Sequence, residues 1–198
     1  MVNQNLVGGI LTIIPIVNFV VIGYVLQLLK NVRDGVERPM PNWDNFGDYF
    51  MKGLMVVIAV IIYAIPIILL SCVSGAFSAA LGGRGQEGVR GLAALFTSAV
   101  GCLSSLWGLL LAVVLPAAVV KYAEADELSA FFRFGDIFSF ITKDLGTYII
   151  VIILSYLAHF VAGFGVILCF VGVIFTAFWA SLVQGHLLGQ LARQHKMV

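Results

Sequence analysis

Few side chains in this sequence can move a proton, hold a metal or attack a carbon, and their spacing matches no catalytic pattern. The candidates are His159, His186, Asp44, Asp48, Glu124, Asp126 and Asp136. No HExxH, DxxD or GxSxG string is present, so neither a zinc hydrolase nor a nucleophile elbow is indicated. Asp44 and Asp48 stand one helical turn apart. That spacing suits either a shared cation or a helix cap beside a solvated face, and the second is the commoner use. His159 sits in a long charge-free run. An ionisable group inside a membrane is a functional hypothesis by default. Three roles fit His159: an axial ligand to haem or chlorophyll, a proton relay, or a neutral imidazole bonded to a neighbouring helix. No other cofactor and no metal are expected, although bound lipid is. The three cysteines, Cys72, Cys102 and Cys169, lie in apolar runs and are expected to be buried thiols. The glycines of LGGRGQEGVRG, residues 81–91, lack the Lys-Ser/Thr ending of a phosphate loop.

The elements that must carry these residues are apolar. The chain has 198 residues, 61% hydrophobic and 11% charged, against about 25% charged in soluble domains. No Asp, Glu, Lys or Arg occurs in residues 1–29, 53–83, 91–120 or 145–192. A membrane crossing takes about 20 apolar residues, so three of these runs supply one crossing each and the fourth supplies two. The expected architecture is all-α: a polytopic membrane bundle forming a single domain over 1–198. Its expected spans are 6–29, 53–80, 92–120, 145–163 and 170–190. Pro15 and Asn18 interrupt the first, which reads either as one kinked span or as a re-entrant hairpin broken at Pro15. Pro66 predicts a kink in the second. A net charge of +1 without a basic face excludes a nucleic-acid binder. A secretory signal peptide is not expected, because the first five residues are uncharged.

Two polar segments stand between the spans. In the first, Asp34-Gly35 signals a turn and Asn42 a helix N-cap. Trp43, Phe46, Phe50 and Leu54 then repeat at helical spacing, with Asp44, Asp48 and Lys52 opposite. The pattern predicts an interfacial amphipathic helix over 42–52. A second is predicted over 128–143, with Phe131 on its apolar face and Asp136 on its polar one. Phe46-Gly-Asp-Tyr-Phe50 and Phe134-Gly-Asp-Ile-Phe138 echo each other 88 residues apart. The expected interaction residues are Trp43, Asp44, Phe46, Asp48, Phe131, Phe134 and Asp136. Two stripes of small residues predict close helix packing: Ser104, Gly108 and Ala112 leading to Pro116, and Ala177, Ser181, Gly185 and Gly189. With five spans, nine of the Lys and Arg residues fall on one side and two, Arg84 and Arg90, on the other. The positive-inside rule then places both polar segments and the C-terminus in the cytoplasm and the N-terminus outside.

Several of these residues carry a family resemblance. Gly23-Tyr24, Asp34-Gly35, Pro41-Asn-Trp-Asp44, Phe46-Gly47-Asp48 and Lys52-Gly53-Leu54 come first. Pro116, Lys121-Tyr-Ala-Glu124, Ala130-Phe131 and His186-Leu-Leu-Gly-Gln190 follow. With these the chain resembles the uncharacterised prokaryotic membrane family known as domain of unknown function 4013. That family's charged preamble has no counterpart before Leu6. The resemblance implies a compact multi-span helical fold in a prokaryotic cell (inner) membrane and implies no activity. The missing catalytic and coupling residues point to a non-enzymatic accessory or scaffold subunit, with membrane lipids and other membrane proteins as partners. The alternatives are a small transporter or lipid-handling protein and, third, a pigment- or haem-binding helper acting through His159.

Overall fold

The computed structural model describes residues 18–82, 87–168 and 171–197. Every regular element among them is helical: α1 (Asn18–Arg33), α2 (Phe46–Gly82), α3 (Glu87–Ala125), a 3-10 turn (Leu128–Phe132), α4 (Phe134–Lys143), α5 (Leu145–Gly163), a second 3-10 turn (Phe164–Leu168) and α6 (Val171–Met197). Four stretches are long and apolar enough to cross a membrane: Phe46–Ala80, Arg90–Ala125, Leu145–Val166 and Gly172–Met197. These correspond to the last four expected spans. Of the first expected span only residues 18–29 are described, within a 16-residue α1. Pro15 and the choice between span and hairpin lie outside the described residues.

The described chain falls into two compact units. One holds the residues up to Ala59 and from Pro116 onward, and the other holds Val60–Leu115.

The first unit is built around α1. Its Val20, Val21, Gly23, Tyr24, Leu26, Leu28, Leu29, Lys30 and Val32 are all buried. A helix buried on most of its faces needs neighbours that can approach closely, and glycines provide them. On one side α1 crosses the start of α2 backbone to backbone. A Cβ at Gly23 would fall on the carbonyl of Tyr49, and one at Gly53 on the carbonyl of Phe19. On another side lies α6. A Cβ at Gly185 would stand 2.8 Å from Val25 Cγ1, and one at Gly189 2.7 Å from the Leu29 carbonyl oxygen. Beside α6 runs α5, joined to it where the Thr176 hydroxyl donates to the Ala162 carbonyl at 2.7 Å.

The second unit pairs the later part of α2 with the earlier part of α3. Trp107 Nε1 donates to the Tyr63 carbonyl at 3.0 Å, three residues before Pro66. Pro66 removes the donor that would serve the Ile62 carbonyl and disturbs the turn before it, and the indole bonds the next carbonyl in that turn. Thr97 Oγ1 donates to Ala93 at 2.9 Å, so the Ser78 hydroxyl is the donor in the 2.9 Å Ser78–Thr97 bond between the helices. Phe77 and Phe96 meet nearby at 4.8 Å. Large apolar side chains such as Leu69, Leu92, Leu95, Leu106 and Leu109 remain exposed. Trp107→Phe should lower the unfolding midpoint in detergent, by about 1 kcal/mol for one neutral hydrogen bond. An unchanged midpoint would mean that the indole N–H does not support this turn.

Three expectations are corrected here. The helix expected over 42–52 is not separate: α2 starts at Phe46 and runs without a break to Gly82. The reason is that nothing after Lys52 stops it, since Gly53 is accommodated by the crossing with α1. Cys72 and Cys102 are exposed, because they fall on the open faces of the second unit, while Cys169 lies outside the described residues. Among the described residues nothing lies within 4 Å of a Cβ position at Gly108, which is exposed, so the close packing expected of the Ser104, Gly108 and Ala112 stripe is not made at Gly108.

Candidate functional site

The charged side chains of the first unit gather where α1, α3 and α6 end and where α4 and α5 meet. The order of events along the chain explains this. α1 ends in a Schellman motif: Gly35 takes φ +75°, its N–H reaches the Val32 carbonyl at 3.1 Å and the Val36 N–H reaches Asn31 at 3.0 Å. The Pro39 and Pro41 carbonyls that follow are held by Asn31 Nδ2 and Tyr24 Oη, both at 2.9 Å. Tyr49 Oη binds the Asn42 carbonyl at 2.8 Å. A second chain of bonds runs from Asp48 to Lys52 (2.7 Å) and from Lys52 to Gln27 (3.0 Å). It continues from Gln27 to Asn31 (3.0 Å). The loop between α1 and α2 is thereby fastened to both helices.

Trp43 belongs to this clamp rather than to a lipid-facing surface. Its ring stacks on Tyr24, with centroids 4.1 Å apart, and lies 6.3 Å from Phe178. Its Nε1 is buried with no hydrogen-bond partner. Phe131 is likewise internal, fully buried and stacked on Tyr122 at 4.9 Å. The physical reason is the same for both: a loop folded back on a helix bundle offers a large ring more contact inside than at the surface. Asp44, Phe46, Asp48, Phe134 and Asp136 are exposed. The two echoed strings are used alike. Each begins a helix with an exposed Phe, an open Gly, an exposed Asp and a buried fourth residue, Tyr49 or Ile137.

The ends of α1 and α3 are tied by charge. Lys30, nearly buried, pairs with Asp126. Asp126 stands just beyond α3 with φ +56°, the left-handed cap conformation that Asp tolerates better than most residues, and its N–H binds the Tyr122 carbonyl at 2.8 Å. Arg33 Nη1 donates to the Ala123 carbonyl at 2.9 Å, and its other nitrogens grip Asp34 at 3.0 Å. The hydrogen bond from Arg33 holds the Asp34 carboxyl below its ordinary range. Lys196 reaches the same carboxylate at 3.3 Å. Lys143 Nζ donates to the His195 carbonyl at 2.7 Å, and Gln194 reaches Asp144 at 3.4 Å.

Asp144 caps α5 by accepting the Thr147 N–H at 3.1 Å. Hydrogen bonds from Thr147 lower its carboxyl pKa. A depressed carboxyl contributes stability above its ordinary pKa, near 4, and that contribution is lost as the pH falls through the folded-state value. Acidification below about pH 4 should therefore lower the unfolding midpoint. Asp144→Asn should remove part of that dependence, and an identical acid limb in the variant would rule the cap out as a contributor.

Between these ends lies a cleft of about 480 Å³, lined by Arg33, Lys121, Glu124, Ser139, Phe140, Lys143, His195 and Lys196. Lys121 pairs with Glu124 at 2.9 Å and stands 5.2 Å over the Phe140 ring. His195 meets the same ring edge-on at 4.6 Å, and both its ring nitrogens are buried without a hydrogen-bond partner. Of the candidate catalytic residues Glu124 lines this cleft, together with Lys121 from the same Lys121-Tyr-Ala-Glu124 string. The basic residues there were legible individually as one-sided charge, but nothing in their spacing said that they share a cleft.

The remaining candidates stand apart. His159 is exposed on α5, four residues before the helix ends and inside the apolar stretch Leu145–Val166. Its Nδ1–H donates to the Ser155 carbonyl of its own helix at 2.8 Å, so a metal would meet Nε2. His186 lies 3.0 Å from Gln190. Asp48 pairs with Lys52 at 2.7 Å. Among the described residues no three His, Cys, Asp or Glu side chains gather as a metal site. Of the second small-residue stripe, Gly185 and Gly189 touch α1, while Ser181 Oγ bonds back to Ala177 at 3.0 Å.

Four long apolar helices with a polar cluster where the helices of one unit end define a helical, membrane-compatible protein. The chain belongs to the family described as protein of unknown function (DUF4013), whose pattern matches residues 7–171. The His186–Gln190 resemblance lies beyond the matched residues. No curated protein matches the chain, and no solved structure does.

Proposed function

We propose that this chain is a non-enzymatic accessory or scaffold subunit of a larger complex in a prokaryotic cell membrane. The observation that carries this reading is how the charged side chains are spent. Lys30, Arg33 and Lys143 each bind the end of a neighbouring helix or its flanking residue, as does the neutral Gln194. Such side chains fasten helices together and do not converge on a reacting atom. Orientation follows from the nine-to-two division of Lys and Arg, which puts the polar cluster and the C-terminus in the cytoplasm. With α1 as part of a fifth crossing, the N-terminus is outside. Phe46, Phe134 and Phe138, exposed beside Asp48 and Asp136, suit the headgroup layer, where aromatic rings anchor.

Purification in mild detergent from the native membrane tests the reading. Other membrane proteins should co-purify in fixed stoichiometry. A monodisperse lone chain would sink it. The cleft favours a second reading, a lipid-handling protein, which reconstitution into vesicles and a lipid-scrambling assay would test.

A further inference from the structure

We infer that the cleft between the ends of α1, α3, α4 and α6 is a binding site for a phosphate-bearing anion, either the headgroup of an acidic phospholipid or a free phosphate compound. Four cationic side chains line it, Arg33, Lys121, Lys143 and Lys196, against one carboxylate, Glu124. Asp34 at the rim is shared between Arg33 and Lys196, and Asp144 accepts from Gln194. The surplus is concentrated on Lys143, whose ammonium is bonded to the His195 carbonyl rather than to a carboxylate. Lys121 is held over the Phe140 ring on the same wall, so two ammonium groups from different helices are fixed around one space. Ser139 adds a hydroxyl to the lining, and His195 brings a side chain whose ring nitrogens have no partner. A volume of about 480 Å³ lies within the range of small-molecule sites, about 300–1,000 Å³. It exceeds what a single phosphate fills and leaves room for a glycerol or sugar attached to it. Basic pockets between helix ends at a cytoplasmic surface attract acidic headgroups by the same Coulombic logic. The inference rests on the geometry of this one unit and does not require the accessory-subunit reading.

The test uses the full chain purified in a neutral detergent. Binding is followed by native mass spectrometry and by the shift in thermal unfolding on adding phosphatidylglycerol, phosphatidylcholine or inorganic phosphate. Phosphatidylglycerol should bind at least about tenfold more tightly than phosphatidylcholine, as expected for a cleft whose lining carries a net positive charge. Lys143→Gln should weaken it by about fivefold, and Lys143→Arg should restore it. Lys196→Gln, on the exposed tail, should weaken it in the same direction without touching the core. A response to phosphatidylglycerol alone identifies a lipid headgroup as the source. A response to inorganic phosphate as well identifies the phosphate group as sufficient. Equal binding of the two lipids with no response to phosphate would overturn the inference. So would undiminished binding by Lys143→Gln and Lys196→Gln, provided that both remain monodisperse.

Discussion

Replacing Gly53 with alanine should leave little folded protein. The added methyl would fall on the Phe19 carbonyl, and the reciprocal change at Gly23 would fall on that of Tyr49. Overpacking a side chain usually costs about 1–3 kcal/mol because neighbours change rotamer. Here the obstacle is backbone, which has no rotamer to change. Nor can α1 retreat, because Gly185 and Gly189 of α6 already bring backbone and side chains to contact on another side. The expected loss exceeds about 4 kcal/mol, the range reserved for a named structural failure. Gly47→Ala and Gly135→Ala supply the comparison. Both positions are helical and neither has anything within 4 Å of a Cβ, so alanine's better helix propensity should leave them neutral or stabilised by up to about 1 kcal/mol. The measurements are the yield of monodisperse protein in detergent and its unfolding midpoint. If Gly53→Ala behaves like Gly47→Ala, the backbone crossing does not set the fold.

Asp126→Asn should destabilise the protein more than Lys30→Met does. The two partners are unequally placed: the Lys30 side chain is 10% exposed and that of Asp126 is 56% exposed. Removing the carboxylate's charge strands an almost buried ammonium, and a stranded buried charge is the costly half of a broken ion pair. Solvent at Asp126 screens the pair, which reduces the expected cost to about 2 kcal/mol. Asparagine keeps the left-handed backbone at this position accessible, so the effect reports the charge and not the turn. Lys30→Met removes the buried charge itself and leaves Asp126 in water, and should fall within about 1 kcal/mol of the parent in either direction. Unfolding of both variants in one detergent checks the order. The reverse order would show that the carboxylate, not the ammonium, is the group that depends on its partner.

Much of the fold was legible because membrane helices are written in composition. The charge-free runs at 53–83, 91–120 and 145–192 became α2, α3 and the α5–α6 pair. The turn at Asp34-Gly35 was readable because only a residue tolerant of positive φ closes that motif. The residues of the cleft were not legible as a group. Lys121 and Lys143 come from helices that local sequence cannot orient relative to each other, and His195 reaches them only because α6 returns to the same end. Trp43 misled for a related reason. Helical spacing with Phe46 and Phe50 suggested a lipid-facing stripe, whereas a loop folding back lets the indole stack on Tyr24.

The sequence by itself determined the helical class and the place of four long apolar segments, because transfer free energy depends on residue type and order alone. The tertiary structure decided which small residues are contacts and which are surface. Gly23 and Gly53 meet backbone while Gly108 meets nothing, a distinction that depends on helix rotation and crossing. It also decided that side chains scattered from Arg33 to Lys196 line one cleft. That follows from where helices end in space, which no local pattern encodes.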